Sequence, residues 1–89
     1  MKAIITVLGK DKVGIISGVS MALSSMNINI LDISQTIMND MFTMIMQVDT
    51  SKANVEFANI VENLRAESEK LGVDIRIQHE EIFNSMHRI

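Results

Sequence analysis

Between residues 9 and 16 the chain reads Gly9-Lys10-Asp11-Lys12-Val13-Gly14-Ile15-Ile16, a short polar step bounded by glycines. Asp11 offers a carboxylate that can accept hydrogen bonds from an ammonium group. From Gly14 onward, Ile15, Val19, Ala22, Leu23 and Met26 recur at helical spacing. The backbone N–H groups of Gly14 and Ile15 therefore stand at the start of a helix. Such groups lack intrahelical acceptors and carry partial positive charge, which suits a carboxylate or a phosphate. Gly14 has no Cβ, so a ligand can approach its backbone closely. A free amino acid carries the two complementary charges. The same residue types also make ordinary turns and helix caps. A phosphate-binding loop is excluded. Gly9 and Gly14 match the outer glycines of that motif, but Ile15 and Ile16 stand where Lys and Ser/Thr are required.

Other chemistry-bearing groups are sparse. His79 and His87 are the only histidines, with Glu80 and Glu81 beside the first. Their spacing matches no established metal-ligand pattern, so no metal or other cofactor is expected. Ser17, Ser20, Ser24 and Ser25 have no histidine nearby in sequence to activate them. No cysteine is present, which excludes disulfides, thiolate metal sites and cysteine nucleophiles. No catalytic constellation emerges, and the chain is expected not to be an enzyme.

The net charge of −3 and the lack of any basic run argue against nucleic acid, whose phosphates demand clustered Lys and Arg. With three aromatics, no platform for stacking bases is visible either. No segment reaches the length of a membrane span, and the apolar run after Met1-Lys2 stops at Gly9, too soon for a signal peptide. A cytoplasmic location with no membrane role is the expectation. Eight methionines in a chain this poor in aromatics read as core filler.

The elements that must position these residues follow from periodicity. Residues 2–8 read as a strand and 14–26 as a helix, closed by Asn27 as a left-handed cap. Gly18 falls inside that helix, where it costs about 1 kcal/mol against alanine unless another backbone packs on it. Residues 29–38 read as a second strand, with Leu31, Ile33 and Ile37 on one parity and Ile30, Asp32, Ser34 and Thr36 on the other. Asn39-Asp40 is a two-residue hairpin turn. Beyond it Phe42, Met44, Met46 and Val48 alternate with polar residues in a third strand. Thr50 or Ser51 is expected to cap a second helix, with Phe57, Ile60, Val61, Leu64 and Leu71 on its buried stripe and Gly72 at its end. Residues 73–79 read as a fourth strand, and 80–89 as a short helix with an apolar stripe of Ile82, Phe83, Met86 and Ile89. Its simplest packing is an α+β, ferredoxin-like βαββαβ sandwich, a four-stranded antiparallel sheet with two helices on one face, plus the C-terminal helix.

Gly9-x-Asp11-x-x-Gly14-Ile15 after the first strand, together with Asn27-Ile28-Asn29-Ile30 opening the second, resembles the ACT domain over residues 1–79. Asp32-Ile33-Ser34-Gln35-Thr36 and the ending from Gln78 to Ile89 further resemble a group of small stand-alone ACT proteins related to the ACT repeats of the glycine-cleavage repressor. In this division residues 80–89 form a helical extension. The resemblance implies regulatory binding of a small molecule, above all an amino acid, at an interface between two ACT domains. Asp11 and the backbone of Gly14 and Ile15 would come from one subunit and Asn29 from the facing one. A homodimer acting on a separate, unidentified protein is then expected. Acylphosphatase shares the architecture, so a small phosphate-handling enzyme is the alternative, although its chemistry wants an arginine in the first loop, where residues 9–14 supply only lysines. A dimeric adaptor that needs no ligand is the third reading.

Overall fold

A computed structural model describes residues 1–10 and 13–86. Seven elements follow in the order β1 (Lys2–Lys10), α1 (Ile15–Ser25), β2 (Asn29–Met38), β3 (Met41–Asp49), α2 (Phe57–Leu71), β4 (Asp74–His79) and α3 (Glu80–Met86). The strands form one antiparallel-paired sheet in the order β2-β3-β1-β4, so both strand–helix–strand units jump over a neighbour. This is the expected ferredoxin-like α+β sandwich.

Alternation decides which side is buried. Ala3, Ile5 and Val7 of β1 and Phe42, Met44, Met46 and Val48 of β3 point to one face and are at most 2% exposed. Ile15, Val19 and Leu23 of α1 and Ile60 and Leu64 of α2 close over them. Each of these side chains larger than alanine contributes about 1.5–3 kcal/mol of burial. Met26, Met44 and Met46 fill this core, but the other five methionines (Met1, Met21, Met38, Met41 and Met86) are exposed, so the expectation of core filler holds for three of the eight. The β2–β3 hairpin turns through Asn39 and Asp40 at φ 51° and 67°, the positive values that a two-residue hairpin turn needs.

Several expectations are corrected. In β2 the register passes from Ile30 opposite Val48 directly to Asp32 opposite Gln47. Leu31 is a bulge, and it shifts Ile30 onto the same helix-facing row as Ile33, whereas simple parity separated them. The second helix begins at Phe57 after Glu56, not after Thr50 or Ser51. Those residues serve the preceding turn instead: Thr50 donates its N–H and its hydroxyl to Met1 O, and Ser51 N–H donates to Asp49 Oδ1. Val61, expected in the buried stripe, is 42% exposed. Gly18 faces side chains rather than a backbone, since a Cβ there would meet Leu71 Cδ1 at 3.0 Å and Glu67 Oε2 at 3.1 Å. It lets α1 settle on α2 within one chain, so it says nothing of a dimer. Asn27 (φ 58°) and Gly72 (φ 71°) are the left-handed helix ends foreseen.

The short α3 crosses the other face of the sheet at its β1–β4 end. Gln47 Nε2 donates to Glu80 Oε1 at 2.9 Å, and Ile4, paired between Gln47 and Gln78, is buried there. Ile82 and Met86 remain half or more exposed. His87, Arg88 and Ile89 lie outside the described residues.

Candidate functional site

Gly14 is the pivot between β1 and α1. Its φ of 95° lies in the left-handed region, open to glycine and strained for residues with a side chain. Space does not impose the glycine, because the nearest atom to a Cβ would be Ser17 Oγ at 4.0 Å. Gly14 O begins the helix by accepting Gly18 N–H at 2.9 Å and the Ser17 hydroxyl at 3.2 Å. Among the described residues no side chain caps α1, and no acid stands in its first turn. The N–H groups of that turn thus find no described side-chain acceptor, and the positive end of the helix dipole lies there. Asp11, the proposed ammonium acceptor, lies outside the described residues.

In front of this turn opens a cleft of about 420 Å³, lined by Gly14, Ile15, Ile16, Ser17, Gln35, Ile37 and Phe42. Gly14 and Ile15 thus share one depression. Sequence reasoning missed Gln35 as a wall of it. The available signal was a polar residue on the row that otherwise carries Ile33 and Ile37.

Asn29 lies at the opposite end of β2. Eight residues separate it from Ile37, about 26 Å along an extended strand, so one chain does not unite Asn29 with Gly14. Asn29 lines a second cleft of about 390 Å³ with Ser20, Ser24, Asn27, Ile28, Ile30 and Lys52. The loop above it is pinned to the end of α1: Asn27 Nδ2 donates to Lys52 O at 2.8 Å, Asn54 Nδ2 to Ser25 O at 3.1 Å, and Asn54 N–H to Met26 O at 3.0 Å. Nearby Asp49 accepts the Ser51 N–H, the main reason its carboxyl sits below the usual range, and also meets the N-terminal amine at 3.5 Å.

β2 is an edge strand of ten residues with one free side. The strip it shares with α1 is apolar and open, with Ile16, Ile33 and Ile37 all more than 40% exposed. The opposite edge, β4, is shorter and carries the Arg76–Asp74 ion pair, a common defence against edge pairing. Arg76 is held there and Arg65 is held by Glu62 and Glu69 on α2, so neither described arginine serves the first loop as a phosphate-handling enzyme would require. His79, weighed above as a metal ligand, stacks its ring on Phe57 at 4.2 Å. Among the described residues no cluster of three or more metal-ligating side chains occurs, and no helix is long and apolar enough to cross a membrane.

The ACT domain family profile matches residues 2–78. The chain belongs to the ACT domain family. Its relatives include the UPF0237 protein of Clostridium acetobutylicum, 62% identical over 89 residues and covering both chains completely. Among solved structures, an ACT domain protein from Streptococcus pneumoniae is 44% identical, covers 93% of each chain and superposes with a TM-score of 0.81. A chain provisionally designated a glycine cleavage system transcriptional repressor shares the fold at a TM-score of 0.74 and 23% identity, covering 86% of this chain and 44% of that one. ACT domains are regulatory modules, related to amino-acid-binding domains, and Gly14, Ile15 and Asn29 occupy the two ends of this ACT domain's exposed β2 edge.

Proposed function

We propose that this ACT protein is a homodimeric, non-enzymatic sensor that binds an α-amino acid between its subunits and passes the occupancy to a separate protein. The observation that carries the reading is the start of α1, which no described side chain caps, set on left-handed Gly14 and opening into a cleft at the β2 edge. A two-fold axis through the middle of β2 pairs that edge with its copy and covers Ile33, Ile37 and Ile16, an isologous solution to one exposed patch. Counted from the strand's centre, Ile30 falls opposite Ile37 of the second copy. The Asn29 cleft of one subunit then adjoins the Gly14 cleft of the other.

In this arrangement the ligand carboxylate meets the N–H groups at Gly14 and Ile15. Asp11, assigned from its place in the sequence, takes the ammonium group, and Asn29 of the second copy closes the site. A thermal-shift screen against the common amino acids identifies the ligand. Asp11→Ala then removes a charge-assisted hydrogen bond worth about 1.5–3 kcal/mol, roughly a ten- to hundredfold loss of affinity by calorimetry. A protein that no amino acid stabilises, or an Asp11→Ala variant that binds as the parent does, rules the reading out.

A further inference from the structure

We propose that the bound amino acid carries a second anionic group on its side chain, and that Lys52 receives it. The inference rests on the intersubunit site above and adds the chemical class of the ligand. The Asn29 cleft is polar in a particular way. Ser20 and Ser24 stand one turn apart on α1, Asn29 opens β2, and Lys52 is the one charged residue on the wall. Neither serine hydroxyl bonds another described residue, and no described carboxylate lies within ion-pair distance of the Lys52 ammonium. The nearby acid, Asp49, already takes the Ser51 N–H and the N-terminal amine.

The lysine is also placed rather than loose at its backbone. Asn27, in its left-handed conformation, holds Lys52 O, and Asn54 ties the following residue pair to the end of α1. Asp49 borders the adjoining cleft with Asn29 and Lys52 but makes no ion pair with the lysine, so the Lys52 ammonium favours an anionic group on this wall and the two serine hydroxyls can donate to it. In the two-fold arrangement this wall continues from Ile30 onto Ile37 of the second copy. The helix N-terminus of one subunit would then hold the α-carboxylate, and Lys52 of the other the distal anion. Acidic α-amino acids are the ligand class with this charge pattern.

The test compares each acidic amino acid with its amide in calorimetry: aspartate against asparagine, and glutamate against glutamine, on the parent protein and on Lys52→Met. Lys52 is exposed, so the substitution leaves the core intact. At least one acidic ligand should bind the parent about ten- to hundredfold tighter than its amide. Lys52→Met should bring it down to the level of the amide. Equal binding of acid and amide to the parent, with dependence on Asp11, overturns the assignment of Lys52 while leaving the sensor reading in place. An acidic preference that survives Lys52→Met overturns it as well. If no α-amino acid of either kind binds, the sensor reading fails and this inference fails with it.

Discussion

Ile33→Lys should convert the dimer into monomers and remove amino-acid binding in the same step. Ile33 sits near the centre of the free edge, opposite Met46 on the helix-facing row, and is 42% exposed. In a single subunit a lysine there can run its stem over the sheet and keep its ammonium in water, so the fold survives. In the dimer the axis brings two such lysines together. Juxtaposed like charges in an interface cost several kcal/mol, roughly a hundredfold or more in the dimer constant. Sedimentation at micromolar concentration should show the mass of one chain, and calorimetry should show no binding. A folded Ile33→Lys dimer would move the interface away from β2 and leave Asn29 without a route to Gly14.

The second large effect is on stability. Gly9→Val should destabilise the domain strongly, and Gly9→Ala by about 1–3 kcal/mol. A Cβ at Gly9 would stand 2.7 Å from Val73 Cγ1, 2.9 Å from Val73 Cβ and 3.1 Å from Val73 Cα. Val73 has little room to retreat. Its N–H bonds Ser68 O at 3.1 Å and its carbonyl accepts the Ser68 hydroxyl, so α2 and the start of β4 would have to shift as one. For a domain of this size the alanine variant should melt about 5–20 °C lower. An unchanged melting temperature in both variants would mean that β1 and the β4 entry do not press together here.

Gly9 also marks what the sequence could and could not convey. It stands in the motif that suggested a ligand, yet its observed reason is the close approach of Val73, sixty-four residues later. Gly14, in the same motif, does answer to the local turn, through its φ of 95°. Short-range patterns were readable wherever one rule acted alone. The Asn39-Asp40 turn and the Phe42–Val48 alternation located the hairpin, and Gly72 located the end of α2. Where two local rules compete, sequence alone misleads. Thr50 and Ser51 are good helix caps and good turn formers, and contacts to Met1 and Asp49 chose the turn. The bulge at Leu31 was hidden inside the run Ile28 to Ile33, where Asn29 and Asp32 alternate with apolar residues too irregularly to mark it.

The candidate site was half legible for the same reason. Gly14 and Ile15 announce themselves because a strand, a glycine and a helix start are adjacent in sequence. Ser20, Ser24 and Lys52 come together only through the α1–β2 crossover and the loop pinned by Asn27, so no local pattern groups them. Asn29 was visible as a strand start, but its distance from Gly14 in one chain emerges only from the sheet.

Subunit complementation tests the intersubunit site most directly. Asp11→Ala and Asn29→Ala each damage a different half of the proposed site, and each homodimer should bind the identified amino acid about tenfold or more weakly. Unfolding the two variants together and refolding them at equal concentration gives mixed dimers, in which one site carries both lesions and the other carries none. About half of the dimers are then mixed, and about a quarter of all sites should recover the parent affinity in a calorimetric titration, as closed two-fold assembly requires. A refolded mixture that binds no better than the two variants apart, while sedimenting as a dimer, would place Asp11 and Asn29 in separate roles and contradict the shared site.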